Sequence, residues 1–180
     1  MISQDAFSNL DYKQGLATCV LASYAVAAYP FAKIPVLDFF VAYCCQFGLP
    51  HEHPERSYED DFLQRHPGYD VIWKLHHDST VPVFEACRKA FSLENVFPAQ
   101  LATIEQRLVA GNSTLMLFMN TSARKQDLEL ADMHSIGVAY SPDCKFFYYD
   151  TGRGKLVRNI SSLRELGDCG HRFLLIGKDT

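Results

Sequence analysis

Cys19, His134 and Asp150 are the residues of this 180-residue chain whose types and placement suit covalent chemistry. A thiol attacks as its thiolate, and free cysteine is mostly protonated near neutral pH. Cys19 stands at the entrance of a Leu/Ala-rich stretch, directly after Lys13-Gln14-Gly15-Leu16-Ala17-Thr18. If that stretch is a helix, its unpaired N–H groups and positive dipole end favour negative charge on the sulfur. Taken alone, such a cysteine is more often a small buried residue. His134 opens a segment in which Ile136, Val138 and Tyr140 share its face by the two-residue strand period. A histidine on such a face is also more often structural when nothing partners it.

The following segment supplies a partner. With Ser141-Pro142-Asp143 as a three-residue hairpin loop, Tyr140 faces Cys144, Val138 faces Phe146, Ile136 faces Tyr148 and His134 faces Asp150. Opposed side chains on one face have Cβ atoms about 4.5–5.5 Å apart, so a carboxylate there can accept the imidazole's second proton. A two-residue loop would put His134 and Asp150 on opposite faces. A thiol nucleophile, a base and a group that orients the base form the layout of nucleophilic acyl transfer. The developing oxyanion is expected to meet Gln14 together with the backbone N–H of Cys19.

The elements that must position these residues divide the chain in two. Residues 18–28 read as a buried central helix that ends before Pro30, and a second helix follows over 35–46, with Gly48 beyond it. Residues 48–77 turn polar and read as a long surface excursion with one short helix. Further helices are expected over 82–91 and 99–110. From there the pattern becomes extended, with strands expected at 114–119, 134–140, 144–149, 155–158 and 172–176. The expectation is a single α+β domain, residues 1–112 mainly helical and 113–180 an antiparallel β lobe.

The order Gln14-x-x-x-x-Cys19 opening a helix, His134 heading a strand and Asp150 closing the next resembles the papain-like cysteine peptidase superfamily. The small size, the gap of about 115 residues from Cys19 to His134, and the segments M-H-S-I-G-V-A-Y and F-F-Y-Y-D-T-G-R-G-K are similar to compact bacterial branches. Those are the double-glycine leader peptidases and the type III secreted effector peptidases. The resemblance implies a helical lobe carrying Cys19, a β lobe carrying His134 and Asp150, and a cleft between them where a peptide or side-chain amide is cut. It implies a cysteine protease. Glutamine deamidation, another amide hydrolysis or acyl transfer to a protein uses the same site, and a non-catalytic papain-like binding module stands as the alternative from another class.

Bulk properties narrow the partners. A formal net charge of −4 and the lack of any Lys/Arg-rich run argue against nucleic acid, and a peptide or protein of basic character is better accommodated. No secretory signal pattern opens the chain and no membrane span is expected, which suits a cytoplasmic protein or one exported without a cleavable signal. The six cysteines show neither a disulfide framework nor C-x-x-C, and Cys44-Cys45 reads as core of the second helix. His51-Glu52-His53 and His76-His77 lack the spacing of a helical zinc site and read as solvated loop histidines, so neither a metal nor a cofactor is expected. Trp73 reads as core or cleft lining, and Thr151-Gly152-Arg153-Gly154 as a tight turn rather than a phosphate loop.

Overall fold

The computed structural model describes residues 2, 18–65, 68–120, 133–151, 154–166 and 173–178. Among them lie helices α1 (Cys19–Ala32), α2 (Val36–Phe47), α3 (Pro54–Arg65), α4 (Gly68–Asp78), α5 (Pro82–Ala90) and α6 (Leu101–Val109). The strands are β1 (Ser92–Val96), β2 (Ser113–Asn120), β3 (Met133–Ser141), β4 (Lys145–Asp150), β5 (Lys155–Ile160) and β6 (Phe173–Gly177). They form one antiparallel sheet in the order β1-β6-β2-β3-β4-β5, so the chain is α+β.

Helix α1 is apolar on every side, and residues 20–28 are all buried. It runs through Pro30 instead of stopping before it. Proline forfeits one backbone hydrogen bond, and the helix then closes at Lys33, which takes a left-handed φ of 57° and donates its N–H to the Tyr29 carbonyl at 3.0 Å. Helix α2 begins after Pro35 and ends at Gly48, left-handed at φ 65°. Its Cys44 is buried as expected, whereas Cys45 faces outward.

The polar excursion expected over 48–77 is instead largely two helices. Helix α3 carries few apolar residues, but Tyr58 and Asp61 face α2: the Tyr43 hydroxyl donates to Asp61 at 2.6 Å and the Phe40 and Tyr58 rings meet edge-on at 5.2 Å. Helix α4 buries Tyr69, Ile72, Leu75 and His76, a stripe at helical spacing. His76 is therefore no solvated loop residue. It shares a 2.9 Å hydrogen bond with the Tyr24 hydroxyl and stacks on Phe91, while His51, His53 and His77 are exposed.

Two apolar clusters cover the sheet. Met116, Ala139, Phe147, Tyr149, Leu174 and Ile176 pack toward α1 and the helical layer. Leu115, Ile136, Val138, Phe146, Tyr148 and Leu175 pack toward α6 and the short turn Leu163–Leu166. Strand β1 lies in the mainly helical half of the sequence yet pairs with β6 at one edge of the sheet. A Glu-Asn pair within its five residues masks the strand pattern.

Helix α1 meets β3 at Gly137. A Cβ there would stand 2.9 Å from the Ser23 carbonyl oxygen and 3.0 Å from the Ala27 nitrogen, both backbone atoms that no rotamer change can move. The Thr114 hydroxyl fixes the same helix to β2 by donating to the Ala27 carbonyl at 2.7 Å.

Two outcomes follow. Gly137→Ala forces α1 and β3 apart and is expected to cost about 1–3 kcal/mol, read by urea denaturation; unchanged stability would refute the close contact. Burial, with help from the charges of His77 and Arg88, lowers His76 from 6.5 to about 4. The folded state thus binds fewer protons than the unfolded chain, so stability is full above pH 6.5 and falls as pH drops toward 4. His76→Gln should flatten that fall by up to ~1.4 kcal/mol per pH unit, measured as denaturation midpoints across the interval.

Candidate active site

Cys19 is the first residue of α1, and the sequence expectation of a helix entrance holds there. Thr18 before it is buried and accepts the first helical bond, from Ala22 N–H at 3.1 Å. Since the opening N–H groups of a helix have no intrahelical acceptor, the amides of Cys19 and Val20 remain directed at the start of the helix. Together with the Ser135 amide from β3 they favour negative charge on the Cys19 sulfur. Burial nevertheless pushes the Cys19 thiol up from its ordinary value, the amides of Ser135, Cys19 and Val20 pulling the other way. In this arrangement the resting sulfur is a neutral thiol that needs a base.

Ser135 is locked by its side chain. Ser23 donates to the Val20 carbonyl at 2.9 Å, which uses its only proton, so at the 2.6 Å contact between Ser23 and Ser135 the donor is Ser135. Ser135 must then accept from the Tyr69 hydroxyl at 3.1 Å. The direction Tyr69 to Ser135 to Ser23 to the Val20 carbonyl is thus determined throughout. All three hydroxyl residues are buried, and together they tie α4, β3 and the first turn of α1.

His134 precedes Ser135 and turns to the other face of the sheet, where its Nε2 lies 3.4 Å from Asp150 Oδ1. This is ion-pair distance, longer than the ~2.7–3.2 Å of a direct N–H···O bond. The carboxylate side chain is 8% exposed and the imidazole 15%, so the pair is sheltered with the ring nearer to solvent. Nε2 is thus the ring nitrogen on the carboxylate side.

The pairing expected from the sequence is corrected in one respect. Tyr140 lies opposite Phe146 and Val138 opposite Tyr148, a register two residues away from the expected one. Pro142, Asp143 and Cys144 make the loop, closed by Cys144 N–H donating to the Ser141 carbonyl at 3.3 Å, and Lys145 takes a left-handed φ of 54° on entering β4. A slip of two residues preserves the face of every side chain. Asp150 consequently remains on the face of His134 and meets it diagonally, a reach that long side chains span. Gln14 and the loop before Cys19 lie outside the described residues, as do Gly152, Arg153 and Cys169.

The cysteines at 19, 44, 45, 87 and 144 are free thiols. Burial raises Cys44 to about 11 and Cys87 to about 12. Among the described residues no three His, Cys, Asp or Glu side chains are grouped to hold a metal ion. In the same residues no single helix is long and apolar enough to cross a membrane. The hydroxyl chain through Ser135 was missed by sequence reasoning, because it joins residues 69, 135 and 23, which no local spacing connects. No protein-family model matches the chain, and neither does any curated protein.

If His134 draws the proton from Cys19, iodoacetamide should alkylate Cys19 rapidly already at pH 6–7, followed by peptide mass analysis. In His134→Ala the raised thiol stands alone, and the inflection should move above pH 9.0. Superimposable profiles would exclude His134 as the base.

Proposed function

We propose that this chain is a cysteine hydrolase of papain-like arrangement that cleaves an amide bond through a thioester. The observation that carries the reading is the 3.4 Å approach of His134 Nε2 to Asp150 Oδ1, one residue from the Ser135 amide that favours the Cys19 thiolate. What supports the reading is thus a helix-entrance thiol beside the Ser135 amide and, one residue earlier on β3, a sheltered imidazole paired with a buried carboxylate.

In the proposed reaction His134 Nδ1 takes the Cys19 proton and the thiolate adds to the substrate carbonyl. Asp150 offsets the charge of the imidazolium. Backbone N–H groups at the start of α1 face the new oxyanion, with Gln14 as the side-chain donor expected from the sequence. His134 returns the proton to the leaving nitrogen, the C–N bond breaks, and the thioester remains. Water, deprotonated by His134, then releases the acid and restores the thiol. The same steps on a glutamine side chain release ammonia in place of an amine, so protease and deamidase differ only in which amide is presented.

The raised Cys19 thiol favours a second reading, a papain-like binding module without catalysis. Intact-mass analysis of candidate partner proteins incubated with wild type and Cys19→Ala separates these. Chain cleavage dependent on Cys19 supports the protease, and a gain of about 1 Da without cleavage supports the deamidase. His134→Ala should slow either by about 10²–10⁴-fold. Full retention of function in Cys19→Ala would establish the binding module instead.

A further inference from the structure

A cleft of about 810 Å³ opens beside the start of α1, and its lining reaches Thr18, the residue bonded to Cys19. The exposed Leu37 of α2 gives it an apolar patch, 49% accessible. Its opposite wall comes from the segment leading into α3 and the first two turns of that helix. Among the described lining residues there, Glu52, Glu55, Glu59 and Asp60 stand against Arg56 and His53. A concave site of this size with apolar surface, one residue from the proposed nucleophile, is where a substrate segment is expected to lie. The charge of the wall then selects among substrates: acidic segments are repelled, and the long apolar stem and cationic head of lysine or arginine match Leu37 and the carboxylates together.

We propose that this cleft receives a lysine- or arginine-bearing stretch of a polypeptide substrate, making the enzyme selective for amides next to basic sequence. The inference rests on the reading of Cys19 as the nucleophile. Glu52, Glu59 and Asp60 act as specificity-determining residues, since all three line the cleft, Glu52 and Asp60 exposed and Glu59 half-buried. Glu55 belongs to the same wall but has other interactions within the fold. Because the attraction acts across solvent, it weakens as salt is added.

The probes are four-residue peptidyl vinyl sulfones carrying lysine, norleucine or glutamate at each position in turn. The rate of labelling of Cys19 in the full chain is read by mass, and iodoacetamide serves as a small reagent that does not need the cleft. At one or more positions lysine is expected to label about tenfold faster than glutamate, with norleucine between, and the advantage should shrink in 1 M salt. Glu52→Gln/Glu59→Gln/Asp60→Asn should bring the lysine and glutamate probes to within about twofold, a loss of charge selectivity that a general unfolding, which slows all probes alike, does not produce. Equal rates for lysine and glutamate at every position in a chain whose Cys19 reacts rapidly with iodoacetamide would overturn the cleft assignment and leave the hydrolase reading standing. A Cys19 slow toward iodoacetamide and every probe alike would overturn both.

Discussion

At Gly137 the buried first helix and the third strand lie too close for even a methyl group between them, and the rest of the site hangs on that approach. A side chain at 137 would hold Ser23 and Ala27 away from the strand. With the glycine in place, Ser23 comes within 2.6 Å of Ser135, and the hydroxyl chain from Tyr69 to the Val20 carbonyl becomes continuous. The same approach brings the start of α1 against the Ser135 amide. Packing at one residue therefore determines where a thiol four helical positions before Ser23 can stand.

Two opposing effects act on that thiol. Enclosure by the helical layer disfavours the charged sulfur, and three backbone amides favour it, the enclosure being the stronger. A thiol in this balance is inert until something accepts its proton, and then the same amides are already aimed at the thiolate without reorganisation. Burial and activation are thus compatible, provided the base is adjacent. Cys87, enclosed by the same helices, has the Tyr24 hydroxyl and Arg88 beside it and is raised to about 12.

What the sequence revealed depended on period. The alternation along residues 134–140 and 144–149 identified both strands, and it placed His134 and Asp150 on one face even though the register was displaced by two. Face is set by parity, which survives such a slip, whereas register is set by where the loop closes, here decided by the left-handed Lys145. The unbroken apolar run of α1 was equally legible. Helices α3 and α4 were not, because their buried residues are few and alternate with charges: Tyr58 and Asp61 on one, Tyr69, Ile72 and His76 on the other. His76 reads as polar in sequence and behaves as core only through Tyr24 and Phe91, partners 52 and 15 residues away. The hydroxyl chain was invisible for the same reason.

The location of the candidate site at the head of β3 has a geometrical cause. Successive residues of a strand point to opposite faces, so Ser135, Gly137 and Ala139 meet the helical layer while Ile136 and Val138 meet the cluster beneath α6. A thiol carried by α1 and an imidazole paired to Asp150 lie on opposite sides of this sheet. Through the middle of the strand the backbone and its neighbours would separate them. At the head of the strand, where β3 begins at Met133 and His134 is its second residue, β2 still pairs alongside through Met119 and Asn120, whereas pairing with β4 starts only at Gly137. A helix beginning one turn later would set its first residue about 5.4 Å further along, away from the Ser135 amide. In the proposed arrangement, the places of Cys19 as the first residue of α1 and of His134 as the second of β3 are therefore one requirement expressed in two elements.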